Sequence, residues 1–156
     1  MKKCVFAGSF DPFTKGHAYI VKTCLELFDE VIVAVMKNPL KKPFISEEER
    51  VRLIKKLYKD ENRVSVIEYD GVVVDLLKEC GTNIYVRGLR NTLDYEYENE
   101  QYFMSRNLDE NINTIYLPTP PELLFLSSTF VRNCILFHRD IKDYVPEEIA
   151  DELPKV

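Results

Sequence analysis

Five short apolar runs, most of them rich in β-branched residues, are spaced along the chain, with a helix-like segment between each and the next. They are "CVFA" (4–7), "VIVAVM" (31–36), "RVSVIEY" (63–69), "NIYVRG" (83–88) and "NTIYLP" (113–118). The continuous apolar character of "CVFA" and "VIVAVM" suits strands whose sheet is covered on both faces, and the others read as further strands. Between the first two runs, Ile20, Val21, Cys24, Leu25 and Phe28 recur at helical spacing. "SEEER" (46–50) has the form of a capping box, with Ser46 as N-cap and Glu49 reaching back, and opens a helix to about Tyr58. "VVVDLLKECG" is a helix closed by Gly81, residues 94–108 form another, "SSTFVRNCILF" starts a third, and Pro146 takes the first position of a last one. This order predicts an α/β fold: a doubly wound, Rossmann-like parallel sheet of five strands in one domain, 1–156. Ligands of such sheets sit beyond the carboxyl ends of the strands, so the loops after strands are where chemistry is expected.

The length, 156 residues, suits one domain with a substantial core. A net charge of -5 and a pI near 5.2 argue against a general nucleic-acid binder. A local cationic pocket is still available from Lys37, Lys41, Lys42, Arg87 and Arg90. The first apolar run is too short for a signal peptide, and no stretch approaches the ~20 apolar residues of a membrane span. Cys4, Cys24, Cys80 and Cys134 lie singly in apolar runs with no CxxC pair, which points to buried thiols in a reducing cytoplasm rather than zinc or disulfides.

The loop "GSFDPFTKGH" (8–17) follows the first strand and opens a helix. A helix N-terminus offers free N–H groups and the positive end of a dipole. Ser9 and Thr14 add hydroxyls and His17 a ring donor, although a plain βα loop with a capping histidine would look similar. Neither a P-loop nor GxGxxG is present. Lys41 follows strand two, where a solvated lysine is the ordinary outcome. Arg87 ends a buried "IYV" strand with Arg90 just beyond, and a charge there needs a partner, which a phosphate would supply with bidentate geometry. Ser127, Ser128 and Thr129 mark one more helix N-terminus beyond strand five. The acidic "DYEYE" run has the look of a solvated or intersubunit helix face.

Thr14, Gly16 and His17 resemble the (H/T)xGH signature of the nucleotidylyltransferase superfamily, whose members attack a nucleoside triphosphate at its α-phosphate and release pyrophosphate. "NPLKKPFISEEER" (38–50), "VRGLRNTLDYEYE" (86–98) and "LSSTFVR" (126–132) extend the likeness, in order, to the bacterial phosphopantetheine adenylyltransferase family, from about residue 3 to about residue 146. That resemblance implies adenylyl transfer from ATP to 4′-phosphopantetheine, giving dephospho-coenzyme A, with Mg²⁺ on the triphosphate and no dedicated protein ligand for it. It implies that His17 holds the α-phosphate in the transition state, with Ser9 and Lys41 orienting the acceptor phosphate. Arg87 would grip phosphopantetheine, with Val73 and Leu76 along its arm. Arg90 and residues 127–129 would hold the ATP phosphates, Glu98 the ribose, and Leu123, Leu124, Phe125 and Leu126 the adenine, with Phe10, Gly88 and Leu89 also at the nucleotide. A cytoplasmic homohexamer inhibited by coenzyme A is implied as well. Ser9 stands where some members carry Thr, and Leu123 where some carry Trp, so stacking on the adenine is lost there.

Adenylyl transfer to nicotinate mononucleotide shares the first motif but not "KKPFISEEER" or "RGLRNTLDYEYE". A cytidylyltransferase stands further off. A catalytically dead nucleotide sensor is opposed by the presence together of Ser9, His17, Lys41, Arg87, Arg90 and Ser128.

Overall fold

In the computed structural model, which describes residues 1–156, strands β1 (Lys3–Gly8), β2 (Glu30–Met36), β3 (Val64–Tyr69), β4 (Ile84–Leu89) and β5 (Asn113–Pro118) form one sheet. All neighbours pair in parallel, in the order β3-β2-β1-β4-β5. Side-chain alternation divides each central strand between two layers. Cys4, Phe6, Val31, Val33 and Val35 enter a large core under helices α1 (Lys15–Leu27), α2 (Glu47–Leu57), α5 (Ser128–Leu136) and the short α6 (Glu147–Ala150). Val5, Ala7, Ile32 and Ala34 enter a smaller one with Val74, Leu76 and Leu77 of α3 (Val73–Cys80). The continuous apolar runs follow from this double coverage. Helix α4 (Thr92–Leu108) buries little, and Glu98 is its one buried residue.

Local signals explain the helix ends, with two corrections. Gly81 closes α3 in the left-handed region at φ 68°, which an L side chain adopts only with strain. Ser46 caps α2 by accepting from the Glu49 amide, but the Glu49 carboxylate turns outward to Arg52 at 2.7 and 2.6 Å, so the capping box expected there is only half formed. Pro146 is the N-cap of α6, one position earlier than expected.

Sheet order reverses between β1 and β4, the switch point at which a doubly wound sheet opens. The two strands pair only through Val5–Tyr85 and Phe6–Val86, whereas β1 and β2 stay in register from Lys3–Glu30 to Gly8–Val35. Beyond Phe6 and Val86 the strands part. Gly88 lets α1 close over this opening, since a Cβ there would meet Ile20 Cγ1 at 3.0 Å.

Candidate active site

The β1–α1 loop delivers His17 to the opening by a cap. Thr14 is the N-cap of α1, and its hydroxyl accepts from the His17 amide at 3.3 Å. The reciprocal bond, from the Thr14 amide to His17 Nδ1 at 2.9 Å, makes a histidine the second half of a capping box. Nδ1 is thereby an acceptor, and the ring proton belongs on Nε2, free to donate elsewhere. Phe10 adopts a positive φ of 50°, uncommon for a bulky residue, and its buried ring meets the imidazole edge-on at 5.0 Å. Phe6 and Phe13 complete the surround. Burial in this aromatic nest, with the charges of Arg87 and Arg90 nearby, lowers the pKa of His17 to about 3. The ring is neutral throughout the neutral range.

Depression of this pKa has a consequence for stability. The unfolded histidine takes up a proton near its ordinary value of 6.5 and the folded one only near 3, so the folding stability His17 contributes is full above 6.5 and drains as pH falls through that window. Equilibrium unfolding of the wild type should lose ground against His17→Gln between pH 7 and pH 5, by at most about 1.4 kcal/mol per pH unit below 6.5. Parallel pH curves would contradict a neutral, half-buried imidazole.

Around His17 lies a cavity of about 240 Å³, lined by Ser9, Phe10, Gly88, Arg87, Arg90, Glu98, Leu123, Leu126, Ser127 and Ser128, among others. Most residues singled out from the sequence meet here, drawn from the ends of β1 and β4 and the start of α5. Leu89 does not line it, and Leu124 and Phe125 face outward, Phe125 packing on Phe130 and Tyr144. At α5, Ser127 Oγ accepts from the Phe130 amide at 3.0 Å as N-cap, while Ser128 Oγ donates to the Pro12 carbonyl at 2.8 Å.

The two arginines do not wait unpaired: the partner that a charge at the end of this strand needs is already supplied within the chain. Arg87 bonds Glu98 Oε1 at 2.6 Å and the Ala7 carbonyl, and Arg90 grips Asp94 through Nε at 3.0 Å and the Leu126 carbonyl at 3.0 Å. Glu98, expected to face a ribose, is buried against Arg87. One donor is left over: Arg87 Nε is buried with no partner.

Lys41 and Thr129 stand in a second cavity of about 530 Å³, joined to the first through Ser9. Lys42 and Arg132 line it too, and none of Lys41, Lys42 and Arg132 is in ion-pair contact with a carboxylate. Arg132 is held by the Asp11 carbonyl at 2.8 Å and Thr129 Oγ1 at 3.0 Å, both uncharged acceptors. Lys37, by contrast, pairs with Asp70 at 3.6 Å. Val73 lines a third cavity of about 360 Å³ with Met36, Met104 and Leu108, and Arg87 and Glu98 form the wall it shares with the His17 cavity. Leu76, expected beside it, is fully buried in the core under α3.

Sequence reasoning missed Asp11, Arg50 and Arg132. Asp11 is buried and accepts the amides of Phe44 and Ile45, while Arg50, 3% exposed, donates to Ile45, Ser46 and Ser9 carbonyls. Arg50 ends a "SEEER" run that has every mark of a solvated helix start. For Arg132 a signal existed: it lies three residues after Thr129, on the face of α5 that carries the hydroxyl.

The sequence pattern of the cytidylyltransferase-like family matches residues 5–134. A phosphopantetheine adenylyltransferase of Clostridium botulinum (strain 657 / Type Ba4) is 41% identical over 155 residues, covering 99% of this chain and 94% of that protein. The protein of the same name from Flavobacterium psychrophilum is 44% identical over 149 residues, covering 96% and 98%. A Vibrio parahaemolyticus crystal structure, assigned as a nicotinate-nucleotide adenylyltransferase, superposes with a TM-score of 0.71 at 20% identity, over 97% of this chain and 94% of that one, and shows the shared fold. With its switch-point cavity and its capped histidine, the chain belongs to the cytidylyltransferase-like nucleotidyltransferases and, among them, to the phosphopantetheine adenylyltransferase family.

Proposed function

We propose that this chain transfers the adenylyl group of ATP, reversibly, to 4′-phosphopantetheine, forming dephospho-coenzyme A and pyrophosphate, the step of coenzyme A synthesis that its relatives' name describes. One observation carries the reading: a neutral imidazole, its Nδ1 occupied and Nε2–H unspent, lines a cavity with two arginines and a helix N-terminus. An oxygen of the acceptor phosphate bonds the α-phosphorus, the bond to the β-phosphate breaks, and its electron pair leaves with pyrophosphate. No protein nucleophile takes part, and the protein contributes positioning and charge. His17 Nε2–H donates to the α-phosphate as charge builds there.

The cavities suggest a division of labour. Arg87, with a spare buried Nε–H on the wall between the His17 cavity and the apolar Val73 cavity, suits an acceptor whose phosphate is at the wall and whose arm runs past Val73. Lys41 with Ser9 orients the acceptor phosphate. Arg90 with Ser127, Ser128 and Thr129 holds the triphosphate. Arg132, charged and without a carboxylate, suits the departing pyrophosphate. Glu98 is offered to the ribose once Arg87 engages a phosphate, and Leu123 and Leu126 give the adenine an apolar wall. Mg²⁺ supplies charge neutralisation on the triphosphate. A bound Mg²⁺ would be carried with the triphosphate and would need few or no dedicated protein ligands.

The homohexamer, the feedback by coenzyme A and the cytoplasmic location belong to the same proposal. Phe103, Met104 and Leu108 of α4 are 62%, 58% and 66% exposed, an apolar face that further copies of the chain would cover. Sedimentation equilibrium reads the mass. No helix is long and apolar enough to cross a membrane.

The deciding experiment is a pyrophosphate-release assay with ATP and a set of acceptors. Phosphopantetheine should support turnover, and pantetheine, which lacks the attacking phosphate oxygen, none. Nicotinate mononucleotide should support little. Robust turnover of nicotinate mononucleotide would overturn the assignment.

A further inference from the structure

We infer that Asp11 and Arg50 are positioning residues that together set where Lys41 stands relative to His17. The inference rests on the reading of Lys41 as a residue of the phosphate site. Lys41 has no fixed place of its own. It is exposed, and the segment around it makes only local bonds, from the Lys41 amide to the Asn38 carbonyl at 3.3 Å and from the Leu40 amide to Asn38 Oδ1 at 3.0 Å. A flexible lysine held this loosely cannot present its ammonium at one point, and a misplacement of about 1 Å costs on the order of 100-fold in rate.

What the loop lacks locally it receives three residues later. The buried carboxylate of Asp11 accepts from the Phe44 amide at 2.8 Å and the Ile45 amide at 2.9 Å. Both of its oxygens are thereby committed to the Lys41 loop. From the other direction the Arg50 guanidinium donates through Nε to the Ile45 carbonyl at 2.8 Å and through NH1 to the Ser9 carbonyl, while NH2 pairs with Glu47 at 3.1 Å. Two charged side chains thus cross-brace the loop that carries Ser9 and leads to His17 against the loop that carries Lys41. Neither is placed on a substrate here: Asp11 spends both oxygens on backbone, and Arg50 spends its fork on three carbonyls and a carboxylate. Their charges also cannot be traded for apolar groups, because the amides and carbonyls they satisfy would be left buried and unpaired.

The test is a double-mutant cycle on kcat, with Asp11→Asn, which keeps one acceptor oxygen, and Arg50→Lys, which keeps the charge but loses the fork. Each single variant should lower kcat about 10-fold or more while the KM for ATP changes less than threefold. In a Lys41→Ala background the same substitutions should lower kcat less than threefold further, since the lysine they place is gone. Equal losses in both backgrounds would overturn the inference and leave Lys41 as read. An unchanged kcat in Lys41→Ala itself would overturn both. Should either variant unfold, hydrogen exchange on the wild type decides: the Phe44 and Ile45 amides must be protected far beyond those of Lys41 and Lys42, and fast exchange at Phe44 and Ile45 refutes the brace.

Discussion

Replacement of His17 by Ala is expected to cut kcat by about 100-fold or more with little change in ATP affinity. Its single outward donor, Nε2–H, is aimed by the bond between Nδ1 and the Thr14 amide, so it needs no reorientation when the α-phosphate takes on charge. The same bond means that alanine also removes half of a capping box, at a cost of about 0.5–2 kcal/mol of stability. His17→Gln separates the two roles, because glutamine is an ordinary partner in such a box. It should recover much of the lost unfolding temperature and little of the lost rate. Comparable loss of ATP binding with unchanged kcat would make His17 a ground-state ligand or a cap alone.

Arg87→Ala should weaken phosphopantetheine binding by about 10- to 100-fold and spare ATP, the size of one lost hydrogen bond to a charged group. Arg90→Ala should show the opposite bias. In both cases a carboxylate loses its partner, Glu98 in the first and Asp94 in the second. Glu98 is the more buried, so Arg87→Ala alone confounds binding with stability. The double variant Arg87→Ala/Glu98→Gln removes that confusion: it should regain unfolding temperature yet remain defective for the acceptor. Normal acceptor binding by either Arg87 variant would remove the arginine from the phosphate site.

Strands, crossovers and the places of the loops were legible because they follow from periodicities that act along the chain. "VIVAVM" can be buried on both faces only in the middle of a covered sheet, and β2 is found there. Helix ends were legible where one residue type has one use, as at Gly81. The cross-bracing was not. Asp11 and Ile45, or Arg87 and Glu98, meet only after the sheet has assembled, and a charged residue that will be buried looks locally the same as one that will be solvated. The carboxylate partners of Arg87 and Arg90 were hidden for that reason, since Glu98 and Asp94 sit in a run whose local composition reads as surface. His17 was found by its motif, and the capping histidine weighed beside it is present too, as the second half of the box at Thr14.

The early parting of β1 from β4 bears on how the protein moves. Two pairings join the β3-β2-β1 half of the sheet to the β4-β5 half, where six join each pair within the halves. Mechanically the sheet is two stiff ribbons on a narrow hinge. The Arg87 side chain spans the gap to the Ala7 carbonyl, standing in for the backbone rung that the parting removed. Were a phosphate to draw that arginine away, the strap across the mouth would slacken, and the cargo would then set the width of the opening.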